Sequence, residues 1–134
     1  MATSPAYAAT VDSGAVLLGA VETSTQTPTT TSTVVSAGAN GTKIEEIVVE
    51  ASQTSLVAST VAGLVYIFLY DGTTYHLFDT ITVTLITASA TVAPFRASKV
   101  YNNLVLKNGW SLRMSQSESS NASILKAFAF GGDY

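Results

Sequence analysis

Hydrophobic and polar residues alternate along several short stretches of the chain. The alternation covers residues 47–52 and is clearest over residues 80–86, where Ile81, Val83 and Leu85 are separated by threonines. A period of two is typical of half-buried β-strands, because successive side chains on a strand point to opposite faces. No stretch has the spacing of three and four residues that is typical of an amphipathic helix. The pattern therefore predicts an all-β protein.

Turn residues divide the chain into short predicted strands. Asp71-Gly72 and Asn108-Gly109 predict tight hairpins and Asn40-Gly41 a third turn, because such pairs favour positive φ at both central positions. Glu45-Glu46 predicts a bulge or an exposed strand start, since Ile44 falls on the opposite parity to the residues that follow. The predicted strands cover residues 15–21, 33–36, 43–52, 60–70, 75–79, 80–86, 95–101, 104–106, 110–116 and 124–130. Some of these continue one another, which leaves eight or nine strands and favours a jelly-roll-like antiparallel β-sandwich, with an immunoglobulin-like sandwich as the alternative.

The first residues of the chain differ from the rest. Residues 1–13 are small, almost uncharged and interrupted by Pro5, which is typical of an extended N-terminal arm. Residues 14–134 are predicted to form a single β-sandwich domain, because 134 residues is close to the commonest domain size. Within it, residues 22–33 are rich in β-branched threonine, which disfavours helix and predicts an exposed edge strand or an ordered loop.

The scarcity of charge limits the partners that the protein can bind. Charged residues make up 11% of the chain, against about 25% in an ordinary soluble domain. The net charge is −3 and the six basic residues are scattered, so no nucleic-acid partner is predicted. The longest apolar run, residues 61–70, is about half as long as a membrane-spanning helix, so no membrane partner is predicted. So few charges favour a surface that meets other proteins, although a neutral polar surface explains the composition equally well.

His76, the only histidine, is the strongest candidate for chemistry. A catalytic histidine needs a nucleophile or a carboxylate beside it, and Asp71 or Asp79 could lie near it across the predicted hairpin. Glu45 and Glu46 are adjacent, so on a strand they point to opposite faces and make a poor acid–base pair. The chain has no cysteine and no calcium-loop pattern. We therefore predict no catalytic, cofactor-binding or metal-binding residues and no enzymatic activity, with a small hydrolase or lectin as the most distant alternative.

Aromatic residues are predicted mainly to pack. Tyr66, Phe68 and Tyr70 share one face of a strand, where they form core or intersubunit packing in one interpretation and a carbohydrate platform in the other. Phe128 and Phe130 also share one face, near residue 134, and are predicted to belong to the core.

Four segments stand out by their order along the chain: ANGTKI at residues 39–44, LVYIFLYDGTTYHLF at 64–78, NLVLKNGWSLR at 103–113 and AFAFGGDY at 127–134. Together they resemble small virion structural proteins of tailed bacteriophages, over residues 38–134. The resemblance implies a capsid decoration or cement protein, located on the virion at the capsid surface. Such a protein is expected to be a homotrimer that binds the major capsid protein on the head exterior and stabilises the capsid. Residues 1–37 fall outside the resemblance.

The contact residues expected for such a protein lie in the arm and in the threonine-rich segment, whose main chain could pair with neighbouring subunits. They are Pro5, Tyr7, Thr25, Thr27, Thr29 and Thr31. The alternative function is that of a tail, neck or fibre structural component that binds a receptor or a carbohydrate through the aromatic face. Copy number distinguishes the two, since a cement protein approaches the abundance of the major capsid protein.

Overall fold

The computed structural model of the protein describes residues 10–19, 21–52 and 58–134, which form strands joined by loops. The one helical element in those ranges is a 3₁₀ turn at Ser119–Asn121. The strands are β1 (Thr10–Leu17), β2 (Ser32–Ser36), β3 (Thr42–Ala51), β4 (Gly63–Tyr70), β5 (Tyr75–Val83), β6 (Arg96–Leu106), β7 (Ser111–Gln116) and β8 (Leu125–Asp133).

The strands form two four-stranded antiparallel sheets. Sheet A has the order β1-β8-β3-β6, and sheet B has the order β2-β7-β4-β5. Only β4 and β5 are neighbours both in sequence and in a sheet, while every other pair of consecutive strands crosses from one sheet to the other. This alternation is the topology of a jelly roll. The predicted jelly-roll-like sandwich is confirmed, and the immunoglobulin-like alternative is not adopted.

The core lies between the sheets and contains the alternate residues that the pattern predicts. Ile47 and Val49 of β3 are completely buried, as is Leu112 of β7. The register of β3 against both β6 and β8 shifts between Ile44 and Glu46. This shift brings Ile44 to the same face as Ile47 despite their odd spacing, and it confirms the predicted bulge.

Several strand boundaries differ from the prediction. β1 begins at Thr10 rather than at residue 15, and residues 10–13 pair with β8, while residues 1–9 of the predicted arm lie outside the described ranges. Two pairs of predicted strands are continuous as β5 and β6. Each of these strands contains the extra residues of a register shift: Phe78 of β5 has no partner in β4, and β6 has three residues between Val100 and Leu104 where β3 has one. A bulge interrupts the alternation without ending the strand, so in the sequence it looks like a break.

The tight turns have a different geometry from the predicted one. Asp71-Gly72 joins β4 to β5 in a hairpin, as predicted. Asn108-Gly109 was predicted to form a second hairpin, and this is wrong, because it carries the chain from sheet A to sheet B. In these three turns only the glycine has positive φ, at 96° for Gly41, 95° for Gly72 and 87° for Gly109. A type I′ turn needs positive φ at both central residues, so none of these turns is of that type.

Two glycines allow close contact between strands. A Cβ atom at Gly131 of β8 would lie 1.8 Å from the carbonyl oxygen of Lys43 on β3. A Cβ atom at Gly14 of β1 would lie 1.9 Å from the carbonyl oxygen of Val34 on β2, which belongs to the other sheet. Only a residue without a side chain fits either position. Gly14 therefore lets β1 and β2 close one edge of the sandwich.

Side chains join the sheets at the opposite edge, between β5 and β6. Lys99 Nζ donates to both carboxylate oxygens of Asp79, each at 2.9 Å, and to the carbonyl oxygen of Thr80 at 2.7 Å. The Tyr101 hydroxyl donates to the same carboxylate. Burial by itself would raise the pKa of Asp79, but the hydrogen bonds from Lys99, the Thr80 amide and Tyr101 outweigh it and lower the pKa.

Candidate functional site

The outer surface of sheet A carries exposed apolar side chains. Val100 is 73% exposed, Phe130 45% and Leu17 44%. The rings of Phe128 and Phe130 are stacked with their centroids 6.3 Å apart. The strand register places Phe128 opposite both Ala15 and Val48, and it places Phe130 and Val100 on either side of Glu46. We call this surface the apolar face, and it consists of Ala15, Leu17, Val48, Val100, Phe128 and Phe130.

The prediction that Phe128 and Phe130 belong to the core is wrong. Ala127 and Ala129 face the core instead and are completely buried. Lys126 has the same parity as the two phenylalanines, and an unpaired lysine is costly to bury. The position of that lysine was the signal in the sequence that could have assigned the phenylalanines to the outer surface.

Charged residues border the apolar face on one side. The register aligns Lys126, Glu50 and Arg96 across three neighbouring strands. Lys126 Nζ lies 5.7 Å from the centre of the Phe128 ring. Glu46 lies between Phe130 and Val100, so the face is apolar apart from this one carboxylate. Exposed apolar side chains with charged residues beside them are typical of a protein–protein interface. The apolar face is thus the strongest candidate for an interaction surface.

The aromatic side chains of β4 lie on the outer surface of sheet B, where they pack against each other and against a neighbouring arginine. Phe68 is completely buried even though it faces away from the core. The Arg113 guanidinium lies 4.3 Å from the centre of the Tyr70 ring and donates to the Tyr75 hydroxyl at 3.0 Å. Tyr66 and Tyr70 are half-buried. These contacts within the chain occupy the rings, so the residues do not form an open carbohydrate platform.

A buried carboxylate organises the threonine-rich loop, residues 22–31. The Glu22 side chain is buried, and it accepts hydrogen bonds from the backbone amides of Thr23 and Ser24, each at 2.9 Å, and of Thr29 and Thr30 at 2.7 and 2.8 Å. The Thr30 hydroxyl adds another at 2.9 Å. Burial by itself would raise the pKa of Glu22, but these hydrogen bonds outweigh it and lower the pKa from 4.5 to about 2. Glu22 was not predicted to have a role.

The predicted contact residues of the threonine-rich loop have different environments. Thr27 and Thr29 are exposed, whereas Thr25 and Thr31 are half-buried. The Thr31 hydroxyl donates to the Tyr75 hydroxyl at 3.3 Å. The other two predicted contact residues, Pro5 and Tyr7, lie outside the described residues. That these six residues contact a partner chain stays a prediction.

His76 does lie beside one of the two predicted carboxylates. Its Nε2 atom is 3.0 Å from Asp71 Oδ2, and its ring stacks on Trp110 with the centroids 6.2 Å apart. Hydrogen bonds from the Thr74 amide, the His76 ring and the Thr73 amide lower the pKa of Asp71 to about 2. Within the described ranges, no hydroxyl group hydrogen-bonds to the His76 ring. The His76–Asp71 pair therefore stabilises the hairpin turn, and none of the described hydroxyl groups is hydrogen-bonded to it as a nucleophile would be.

No protein-family model, no curated protein and no solved structure matches the chain. In the described part of the chain, no group of three histidine, aspartate or glutamate side chains could hold a metal ion. No helix there is both long enough and apolar enough to cross a bilayer.

Proposed function

We propose that this protein is a non-enzymatic virion structural protein of a tailed bacteriophage. Its role is that of a decoration or cement protein, which binds the major capsid protein on the head exterior and stabilises the capsid. The observation that carries the binding role is the apolar face. The resemblance of residues 38–134 to phage virion proteins supports the choice of partner.

The apolar face has the chemistry that protein association requires. Completely burying a phenylalanine, leucine or valine side chain contributes about 1.5–3 kcal/mol. Val100 would contribute most of that range, whereas Phe130 and Leu17 are already about half-buried and would contribute part of it. Lys126, Glu50 and Arg96 remain at the border, where charges select a partner more than they add affinity.

In the assembled virion the apolar face contacts the capsid, and the homotrimer forms through other surfaces. A homotrimer needs a heterologous interface that closes into a ring. β1 is an edge strand of sheet A, and its main chain could accept an added strand from a neighbouring subunit. Three capsid-binding faces in one trimer would then act together, so that each contact can be weak.

Binding of the purified protein to phage capsids that lack it tests the proposal. Wild type is expected to bind in saturating amounts at positions across the whole head, seen by cryo-electron microscopy. Phe130→Asp replaces an aromatic ring of the apolar face by a second carboxylate beside Glu46, and it is expected to weaken binding at least tenfold, because the added charge would lose its water on contact. Leu85→Asp is the matched control, since Leu85 is 66% exposed and lies outside the face.

Two outcomes would overturn parts of the proposal. Wild-type protein that ignores such capsids, or that decorates only the tail or neck, would replace the cement role with that of a tail, neck or fibre component. Equal binding by wild type and by correctly folded Phe130→Asp would show that the capsid is bound through another surface. Circular dichroism of both variants confirms that they are folded.

A further inference from the structure

A groove lies between the threonine-rich loop and the hairpin turn that joins β4 to β5. Its volume is about 380 Å³. Small-molecule sites usually have volumes of roughly 300–1,000 Å³, so this groove suits a small ligand. One wall is formed by Gln26, Thr27, Pro28 and Thr29, and the other by Thr73, Thr74 and Tyr75.

Both walls of the groove are fixed by carboxylates that lie behind them. Glu22 binds the amides of Thr29 and Thr30 and so holds the threonine-rich wall. Asp71 Oδ1 accepts from the amides of Thr73 and Thr74 at 2.8 and 2.7 Å and so holds the hairpin wall. A site whose walls are fixed before the ligand arrives loses less conformational entropy on binding.

The lining of the groove combines hydroxyl groups with small apolar surfaces. Each threonine offers a hydroxyl and a methyl group, while Pro28 and Tyr75 add apolar area. Thr29, Thr73 and Thr74 are exposed, and no side-chain hydrogen bond to another described residue occupies their hydroxyls. None of the described lining residues is charged. An anionic ligand would find no cation here, and an apolar ligand would leave the hydroxyls without partners.

We propose that this groove binds a neutral saccharide. A sugar ring presents hydroxyls at its edge and C–H groups on its faces, which matches the mixture of hydroxyl, methyl and aromatic groups in the lining. Tyr75 offers part of its half-buried ring, since the ring packs against Tyr70 with the centroids 4.4 Å apart, and hydrogen bonds with Arg113 and Thr31 hold its hydroxyl in place. The site adjoins the β4 aromatic residues through Tyr75, whereas it is separate from the apolar face, and it does not rest on the capsid role.

Nuclear magnetic resonance titration of the full-length protein tests the proposal. The probes are maltotriose, mannotriose and chitotriose, added separately up to about 10 mM, which is enough to saturate a site with a dissociation constant of about 1 mM. At least one probe is expected to shift the amide resonances of Gln26, Thr27 and Thr29 and of residues 73–75. No shift with any of the three probes, or shifts confined to other residues, would overturn the proposal. A proline-rich peptide is added as a fourth probe. If it shifts these resonances and none of the saccharides does, the saccharide proposal is overturned and the groove binds a peptide.

Paired variants test the role of the threonine hydroxyls. The double variant Thr29→Val and Thr74→Val removes two hydroxyls with little change of shape, and it is expected to weaken binding of the responding saccharide at least tenfold. Thr82→Val removes an exposed hydroxyl on β5 outside the groove and is expected to leave binding unchanged. Equal affinities of the double variant and wild type would contradict the assignment of the saccharide to this groove.

Discussion

The Tyr101 hydroxyl on β6 donates to Asp79 Oδ2 on β5 at 2.9 Å, the same oxygen that accepts a hydrogen bond from Lys99. The two strands belong to different sheets, so this carboxylate connects the sheets where no backbone pairing does. Because Asp79 is partly buried, its hydrogen bonds are less weakened by water than those of a fully exposed ion pair.

Tyr101→Phe removes one donor from this carboxylate. We expect the free energy of unfolding to fall by about 1 kcal/mol, the usual contribution of a hydrogen bond. We also expect the pKa of Asp79 to rise towards its ordinary value, since one group that stabilises its charged form is gone. Urea unfolding measures the first effect, and a carbon-13 NMR titration of the carboxyl group measures the second. An unchanged pKa would mean that the tyrosine does not act through Asp79.

The lowered pKa of Glu22 predicts a specific dependence of stability on pH. Its pKa is lowered on folding, so its contribution is complete well above pH 4.5 and is lost as the pH falls towards about 2. A shift from 4.5 to about 2 corresponds to about 3 kcal/mol at neutral pH. We expect Glu22→Gln to lower the free energy of unfolding by that order at pH 7, and the difference from wild type to shrink between pH 4.5 and 2.

Urea unfolding at several pH values measures this difference. Glu45→Gln is the control, because the Glu45 side chain is 65% exposed and should change stability by no more than about 0.5 kcal/mol. A difference between Glu22→Gln and wild type that stays constant from pH 7 to pH 2 would refute the assigned role of the Glu22 charge.

Gly131→Ala is expected to be severely destabilising. The added methyl group would overlap the backbone of β3 at Lys43, and backbone atoms of two paired strands cannot move apart without breaking the sheet. We expect a loss of at least about 3 kcal/mol, measured as a lower urea midpoint or as failure to fold. Gly19→Ala is the matched control, since its Cβ would meet only the Ser123 side chain at 3.9 Å. Similar stabilities for the two variants would show that the backbones of β3 and β8 leave room for a methyl group at residue 131.

Phe130→Ser is expected to reduce salt-induced aggregation, which is distinct from assembly into a trimer, without unfolding the protein. Phe130 is about half-exposed, so the fold loses little apolar burial, whereas the apolar face loses a large contact group. Sulfate salts strengthen apolar contacts, so the variant should precipitate at a higher ammonium sulfate concentration than wild type. Leu85→Ser should change the precipitating concentration less. An equal change would show that the apolar face contributes no more to aggregation than any other exposed apolar residue.

The fold was more predictable from the sequence than the interaction surfaces were. Alternation at Ile47 and Val49 identified the core face of β3, because only the sandwich interior can bury such residues together. Alternation in β8 was ambiguous, since alanine and phenylalanine suit either side of a strand. Asn108-Gly109 identified a turn but not the strands that it joins, because the choice between hairpin and crossover depends on the packing of both sheets.

The role of Glu22 could not be predicted from its neighbours in the chain. Two of the amides that it binds belong to Thr29 and Thr30, and no sequence pattern marks a loop that folds around its own first residue. The groove depends on the same folding, since it forms only when the threonine-rich loop lies beside the hairpin. Such sites arise from tertiary contacts between polar segments that have little periodicity of their own.

The position of β8 between β1 and β3 has a consequence for synthesis of the protein on the ribosome. Among the described strands β1 has no other partner in sheet A, so it must wait for β8 to emerge before the sheet is complete. Until then only the β4–β5 hairpin has its partner close by in sequence, and contacts between distant segments form slowly. We therefore expect the sandwich to complete its fold only after residue 133 has emerged from the ribosome, with β1 exposed to chaperones until then.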